Sequence, residues 1–489
     1  MGQHFSRASF LVLAVSLLGG CATRPINPPI AEVELKHGYR YLTHEAHRPN
    51  NDSRTLVILA FSGGGTRAAA FSYGVLEALR GMEVIGPKGR KIRLLDEVDV
   101  VTGVSGGSFT ALAYGLYGEK LFDLYETSFL KRDVQGELVA RFFNPGNWGA
   151  LWSEGWGRSE MAAQLYDEIL FHGATFADLD RGSGPLVLAS ATDISTGERL
   201  VFQQLDFDYL CSDLDAVPLS RAAAASSAVP FALSPVTLNN YGGSCKFATS
   251  PWGRVFADPA TAPRPAARAI KHLQEMQAYQ DGRHKPYIHL VDGGLADNLG
   301  MRGVLEALEE LEALKLMGQP TPLDHVQRIV VFIVDSLSSP QTNWDESARP
   351  PSDVAILIKA TGVPIDHYSY EATELLKDTI ARWQAMRRIR DSTAFDGNKD
   401  PAVAQLVNAP NVDLYAIDVS FSALDDPAEV EYLNNLPTSF VLPPEAVDRL
   451  RSAAGAIIRS SPEFKRLLKD AGAELVTQPA EAKEPVTPP

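Results

Sequence analysis

The chain has 489 residues, 45% of them hydrophobic and 21% charged, a globular composition with enough length for one large elaborated domain. A formal net charge of −15 argues against a nucleic-acid partner and against broad adhesion to anionic lipid, because no basic stripe is available to replace phosphate counterions. No His-Glu-x-x-His, EF-hand or Cys/His zinc spacing occurs, so no metal site is expected.

The first residues read as an address. Met1 to Arg7 is a short n-region, Ala8 to Leu18 is an apolar run too brief to span a bilayer, and Leu18-Gly19-Gly20-Cys21 closes it with small residues. This resembles the lipobox of bacterial lipoproteins. The resemblance implies removal of residues 1–20, lipidation of Cys21 and, with Ala22 in place of an aspartate, an exported protein held at the outer membrane. An uncleaved anchor, or a secretory peptide with an incidental cysteine, is the alternative. Residues 21–52, with Pro25, Pro28 and Pro29, have the composition of a tether lifting a folded body off the bilayer. In an exported chain Cys211 and Cys245 make an even pair, open either to a disulfide or to two buried thiols.

From residue 55 the pattern is α/β. Thr55 to Phe61 is an apolar run of the kind buried on both faces of a sheet, and it ends in Ser62-Gly63-Gly64-Gly65-Thr66-Arg67. Ala68 to Arg80 follows with Phe71, Val75, Leu76 and Leu79 at helical spacing, so the glycines form a strand-to-helix loop with unencumbered N–H groups. The loop is neither a Walker loop nor a dinucleotide fingerprint. A second β-type run reaches Gly103-Val104-Ser105-Gly106-Gly107, and Phe109 to Leu116 reads as helix. A serine on such a turn is a nucleophile elbow: its hydroxyl is held proud, and Gly103 and Gly107 leave room for strand and helix to approach. With that serine present, the glycine loop reads as an oxyanion hole.

Residues 119–180 interrupt the sheet pattern, with Trp148, Trp152 and Trp156 among glycines and an amphipathic segment Ser159 to Leu170, and read as a helical cap beside the site. Strand-like runs resume at Leu186 to Thr192 and Leu200 to Gln204. A small-residue helix then runs within Ser220 to Pro235 and is ended before Pro230. Tyr287 to Val291 is an apolar run ending in Asp292-Gly293-Gly294, which puts Asp292 at a strand's carboxyl end, where it can serve as the base that Ser105 needs.

The ordered blocks Gly63-Gly64-Gly65-Thr66-Arg67, Gly103-Val104-Ser105-Gly106-Gly107 and Asp292-Gly293-Gly294, with Ala225-Ser226-Ser227-Ala228-Val229-Pro230 between them, resemble the patatin-like phospholipase family over residues 55–305. The resemblance implies a three-layer α/β/α fold with a mostly parallel central sheet, a Ser105–Asp292 dyad without histidine, and an oxyanion hole from the amides of Gly63 to Arg67. It also implies lipid acyl hydrolase activity, with phospholipid or a related lipid as substrate, and no cofactor or catalytic metal. Ser62 and Ala68 stand where the commoner family pattern has Asp and Gly, which bears on loop conformation and substrate preference.

Two other readings stay open. One is an α/β-hydrolase triad in the order Ser, Asp, His, for which His325 and His367 lie downstream; His289 is three residues before Asp292 on the same strand and faces the other way. The other is a lipid-anchored binding protein with a dead hydrolase fold. Beyond the motifs, Gln327 to Val334 and Val412 to Ser420 read as strands, Val354 to Arg390 as helix broken at Pro364, and Glu445 to Leu468 as a closing helix pair. The body is expected to span 53–470 as one catalytic domain with a C-terminal extension, and 471–489, rich in Pro, Glu and Ala, to be a disordered tail.

Overall fold

Apolar runs without polar alternation need cover on both faces, and here they become the inner strands of a sheet between helical layers. The computed structural model describes residues 23–476, apart from 46–50, 87–88, 152, 154–155, 249–254, 256–265, 322, 340–341, 343 and 393–409. In chain order the strands are β1 (Thr55–Phe61), β2 (Glu83–Ile85), β3 (Lys91–Arg93), β4 (Val98–Val104), β5 (Leu186–Asp193), β6 (Arg199–Val201), β7 (Val236–Asn239), β8 (Tyr287–Val291), β9 (Arg328–Asp335), β10 (Asp413–Ser420) and β11 (Glu474–Leu475).

The main sheet runs β10-β9-β1-β4-β5-β8-β7, with β6 paired to β5. Strands β10, β9, β1, β4 and β5 are parallel, β8 opposes β5, and β7 opposes β8. Leu59, Val101, Val187, Val331 and Ile417 carry the buried core across the parallel strands. Helices cover both faces, giving the expected α/β architecture with a mostly parallel sheet and a helical C-terminal region.

The helices that position the site are α1 (Gly65–Gly81), α2 (Gly106–Tyr117), α3 (Val134–Phe143), α4 (Arg158–Tyr166), α5 (Leu219–Ser226), α6 (Asp353–Arg390), α7 (Pro444–Ser460) and α8 (Pro462–Asp470). Helix α1 buries Phe71, Val75, Leu76 and Leu79, as its spacing predicts, and α7 packs along it. The buried Arg221 of α5 donates to Glu160 of α4 at 2.8 Å, and its other contact is the Thr237 carbonyl of β7 at 2.7 Å. One charged pair thereby fixes two helices and the sheet edge.

Several expectations need correction. Residues 23–45 are no free tether. Asn27 donates to Ser212 Oγ and the Asn239 carbonyl and accepts from the Asn239 amide, at 2.8–2.9 Å. Buried Arg40 forks onto Asp208, and the hydroxyl of fully buried Tyr39 accepts from the Val187 amide. The segment is a strap, and Cys211 and Cys245, joined by a disulfide with Cα atoms 5.6 Å apart, sit in the loops that receive it. The Ile30 amide donates to the Cys211 carbonyl, and the Val33 amide to that of Lys246.

Helix α6 also runs unbroken through Pro364, whose turn lies on an exposed stretch where a carbonyl left without its donor meets water. The tail begins later than residue 471, since β11 pairs with β2 and the Val476 amide donates to the Glu83 carbonyl. Around the cap, the expected amphipathic helix is one continuous helical stretch, Arg158–Tyr166 running on into Asp167–Phe171, and it is largely buried. Trp156 is core, Trp148 is exposed, and Trp152 lies outside the described residues, as do Cys21, the segment before it and residues 477–489.

Candidate active site

Strand β4 ends at Val104 and α2 begins at Gly106, so Ser105 alone makes the turn, with φ 48° and ψ −119°. A non-glycine residue holds that conformation only where its surroundings impose it. Here they do so through contact: a Cβ on Gly107 would meet the Ser62 carbonyl oxygen at 2.6 Å, and one on Gly103 would meet Ser108 Cα at 2.8 Å. The helix therefore starts three residues earlier than its apolar spacing predicts, with glycines in its first turn.

Ser105 Oγ donates to Asp292 Oδ2 at 2.8 Å, and the Gly294 amide donates to Asp292 Oδ1 at 2.8 Å. Gly293 allows close passage of β5, where a Cβ would meet the Ser190 carbonyl oxygen at 2.4 Å. Both side chains of the pair are buried. Burial pushes Asp292 up to about 6, while the Gly294 amide and the Ser105 hydroxyl favour its ionised form. That value answers a chemical difficulty, because a carboxylate near its ordinary value is a weak base at neutral pH.

The end of α5 clamps the two loops together. Ser226 Oγ accepts from the Ser105 amide at 2.9 Å, the Ser226 carbonyl accepts from the Gly293 amide at 3.0 Å, and the Ala228 carbonyl accepts from the Asp292 amide at 3.0 Å. Thr192 Oγ1 adds a 2.9 Å bond to the Asp292 carbonyl. The Ala-Ser-Ser-Ala-Val-Pro block carries no reactive group to announce this role, which lies in Ser226 Oγ and in backbone carbonyls.

Helix α1 begins inside the glycine loop, at Gly65, so Gly65, Thr66 and Arg67 form its first turn, and a Cβ on Gly106, the residue after Ser105, would meet the Gly65 nitrogen at 2.7 Å. Two of the expected oxyanion donors are committed elsewhere: the Gly63 amide to the Asn298 carbonyl at 2.9 Å, and the Thr66 amide to the Ser439 carbonyl at 2.8 Å. The amides of Gly64, Gly65 and Arg67 make up the rest of the expected set, with Gly64 and Gly65 at the helix start itself. Gly65, at φ 61°, has no room for a Cβ, which would meet the Ser439 carbonyl oxygen at 2.4 Å. The Arg67 side chain turns inward, donating to the carbonyls of Ser336 at 2.7 Å and Leu436 at 2.9 Å. Ser62 bonds Ser336 as well, so the unusual residue at this position pins the loop to the end of β9.

The model of the patatin-like phospholipase family matches residues 59–305, half of the chain. The chain belongs to the patatin-like phospholipase family. No curated protein matches it. Similar solved structures include human GIVD cytosolic phospholipase A2 (TM-score 0.42, 13% identity, covering 93% of this chain and 69% of that one). Others are VipD from Legionella pneumophila (0.28, 11%, 93% and 72%) and the type III effector protein ExoU (0.21, 15%, 83% and 79%).

In this patatin-like chain Ser105 opens into an apolar cavity of about 500 Å³. Gly65 and Ser105 lie on its wall, with Leu138, Val139, Phe142 and Phe143 of α3, Met161 of α4, Val229 and Leu233 after α5, and Thr438 to Phe440. The last three residues come from beyond the family match, from a segment that had no motif to mark it. The triad candidates are elsewhere: His325 precedes the N-terminal end of β9, eight residues and roughly 25 Å of strand from the end where Ser105 sits, and His367 is exposed on α6. His289 bonds Thr237 on the far face of β8. Among the described residues no group of three or more His, Cys, Asp or Glu is placed to hold a metal ion.

Proposed function

We propose that the protein is a lipid acyl hydrolase that cleaves carboxylic esters through Ser105 and Asp292. The observation that carries this reading is the 2.8 Å bond between Ser105 Oγ, held on a strained strand-to-helix turn, and Asp292 Oδ2, with no histidine between them. Ser105 Oγ attacks the ester carbonyl and its proton passes to Asp292. The amides of Gly64 and Gly65 receive the oxyanion, aided by the positive end of α1. Collapse breaks the bond to the alcohol, which leaves with the proton from Asp292; water then attacks the acyl-serine with Asp292 again as base, releasing fatty acid and free Ser105. An apolar cavity of about 500 Å³ suits an acyl chain better than a polar substrate.

The test is fatty-acid release from a panel of phospholipids, lysophospholipids and neutral esters by the wild type, Ser105→Ala and Asp292→Asn. Release by the wild type alone supports the reading, and equal release by Ser105→Ala removes it. The same reading includes export and lipid anchoring through Cys21 at the outer membrane. Mass spectrometry of the mature N-terminus should find a diacylglyceryl group on Cys21, and an unmodified Cys21 in a membrane-extracted protein would refute that part. Among the described residues no helix is long and apolar enough to cross a membrane.

A further inference from the structure

The cavity mouth is ringed by apolar side chains that the fold leaves in water. Helix α3 brings Val139, Phe142 and Phe143 to the rim, with Phe143 66% exposed, and Trp148 in the next helix is 51% exposed. Across the mouth Phe231 is 72% exposed, in the stretch that leaves the clamp beside Asp292. Phe231 is unusual on a second count. Its φ is +71°, a left-handed backbone that bulky side chains avoid, and the turn around it is closed by the Leu233 amide on the Val229 carbonyl at 3.0 Å. The fold thus imposes a strained conformation in order to hold a phenyl ring in solvent. Neither Trp148 nor Phe231 lines the cavity, so substrate binding does not explain their exposure.

Strand β8 opposes β5 with Asp193 beside Leu290, so Tyr287 lies three residues, about 10 Å, beyond the carboxyl ends of the parallel strands, on the side where Ser105 sits. The strap begins at that outer end. Arg24 donates to the Thr237 carbonyl at 3.2 Å and to Asn239 Oδ1, and its guanidinium lies 5.5 Å from the centre of the Tyr287 ring. Cys21 is only three residues before Arg24, a reach of about 10 Å at most. A lipid on Cys21 would therefore hold the body by a short neck with the Ser105 end of the sheet toward the bilayer.

We propose that the rim formed by Phe142, Phe143, Trp148 and Phe231 is a docking face for a lipid bilayer, so that the protein works on the membrane that anchors it. The contact is apolar, as suits a chain with a net charge of −15, and zwitterionic lipid suffices. For its purpose the inference rests on the lipid-hydrolase reading; the docking itself does not require Ser105 to react.

The test uses the mature chain, residues 21–489, with Cys21→Ala, which takes out both the lipid and the apolar run before it, and measures co-sedimentation with phosphatidylcholine vesicles alongside hydrolysis of a monomeric short-chain ester. Phe231→Gly fits the left-handed backbone better than phenylalanine, so it should keep or raise the Tm while weakening vesicle affinity about tenfold. Trp148→Ser should weaken it by a similar factor, and both variants should hydrolyse the monomeric ester as before. Salt should leave vesicle binding unchanged. Unchanged vesicle affinity in both variants would overturn the proposal, as would binding that requires anionic lipid and disappears with salt. Ser105→Ala should bind vesicles like its parent. A parent that binds them and cleaves no ester would leave the docking face standing and refute the hydrolase reading.

Discussion

In the crevice, Ser105 is held at φ 48° and Asp292 is stripped of water, whereas in the strap Asn27 and Arg40 are also buried yet bond to partners that satisfy them. Both regions join distant parts of the chain, but the crevice stores unfavourable energy for chemistry and the strap contributes favourable energy to the fold. The difference teaches that burial alone does not mark a site. What marks it is a buried polar group kept away from its most stable state. Substitutions in the two regions should therefore move activity and stability in opposite ways.

The largest effect belongs to Asp292→Asn, which should lower kcat/KM by about 10²–10⁴ through loss of the base. It should also stabilise the protein at neutral pH. Folding raises the carboxyl from 3.8 to about 6, so its favourable contribution is fully present at low pH and is lost as pH rises through 6. Above that pH the ionised, desolvated group destabilises the fold by something on the order of 2–3 kcal/mol, which the amide removes. Urea melts of both proteins at pH 5 and pH 8 check this, the gap being wider at pH 8. A loss of stability at pH 8 would erase the contrast between the two regions.

Next comes Arg40→Ala in the strap, which strands Asp208 and should cost about 3–5 kcal/mol with turnover per folded molecule unchanged. Arg40→Met combined with Asp208→Asn should recover part of the loss, measured by the same melts. Asn27→Ala removes three hydrogen bonds, one buried and two half-buried, and should cost about 2–3 kcal/mol. Tyr39→Phe leaves the Val187 amide without its acceptor, at about 1–2 kcal/mol. A change in kcat for any of these would mean that the strap reaches the crevice and that the division is too sharp.

The two regions also differ in how far the sequence announces them. Ser105, Asp292 and the glycine loop were legible because each closes an apolar run, and a strand's end followed by glycines can be read locally. The long buried strands were legible for the same reason. The strap was not, since proline-rich residues that bond through Asn27, Tyr39 and Arg40 to positions some 150–210 residues away have no periodicity of their own. The committed amides of Gly63 and Thr66 were hidden likewise, because their acceptors, Asn298 and Ser439, are brought in by distant segments. At Pro364 a local rule failed, where an exposed helix face tolerates what a buried one would not.

Fluorophosphonate labelling followed as a function of pH tests the Ser105–Asp292 pair most directly. The label should fall on Ser105, its rate should rise through a single step near pH 6, and Asp292→Asn should slow it at every pH above that step while His325→Ala and His367→Ala leave it unchanged. Labelling that persists at full rate in Asp292→Asn, or that vanishes in either histidine variant, would contradict a histidine-free dyad.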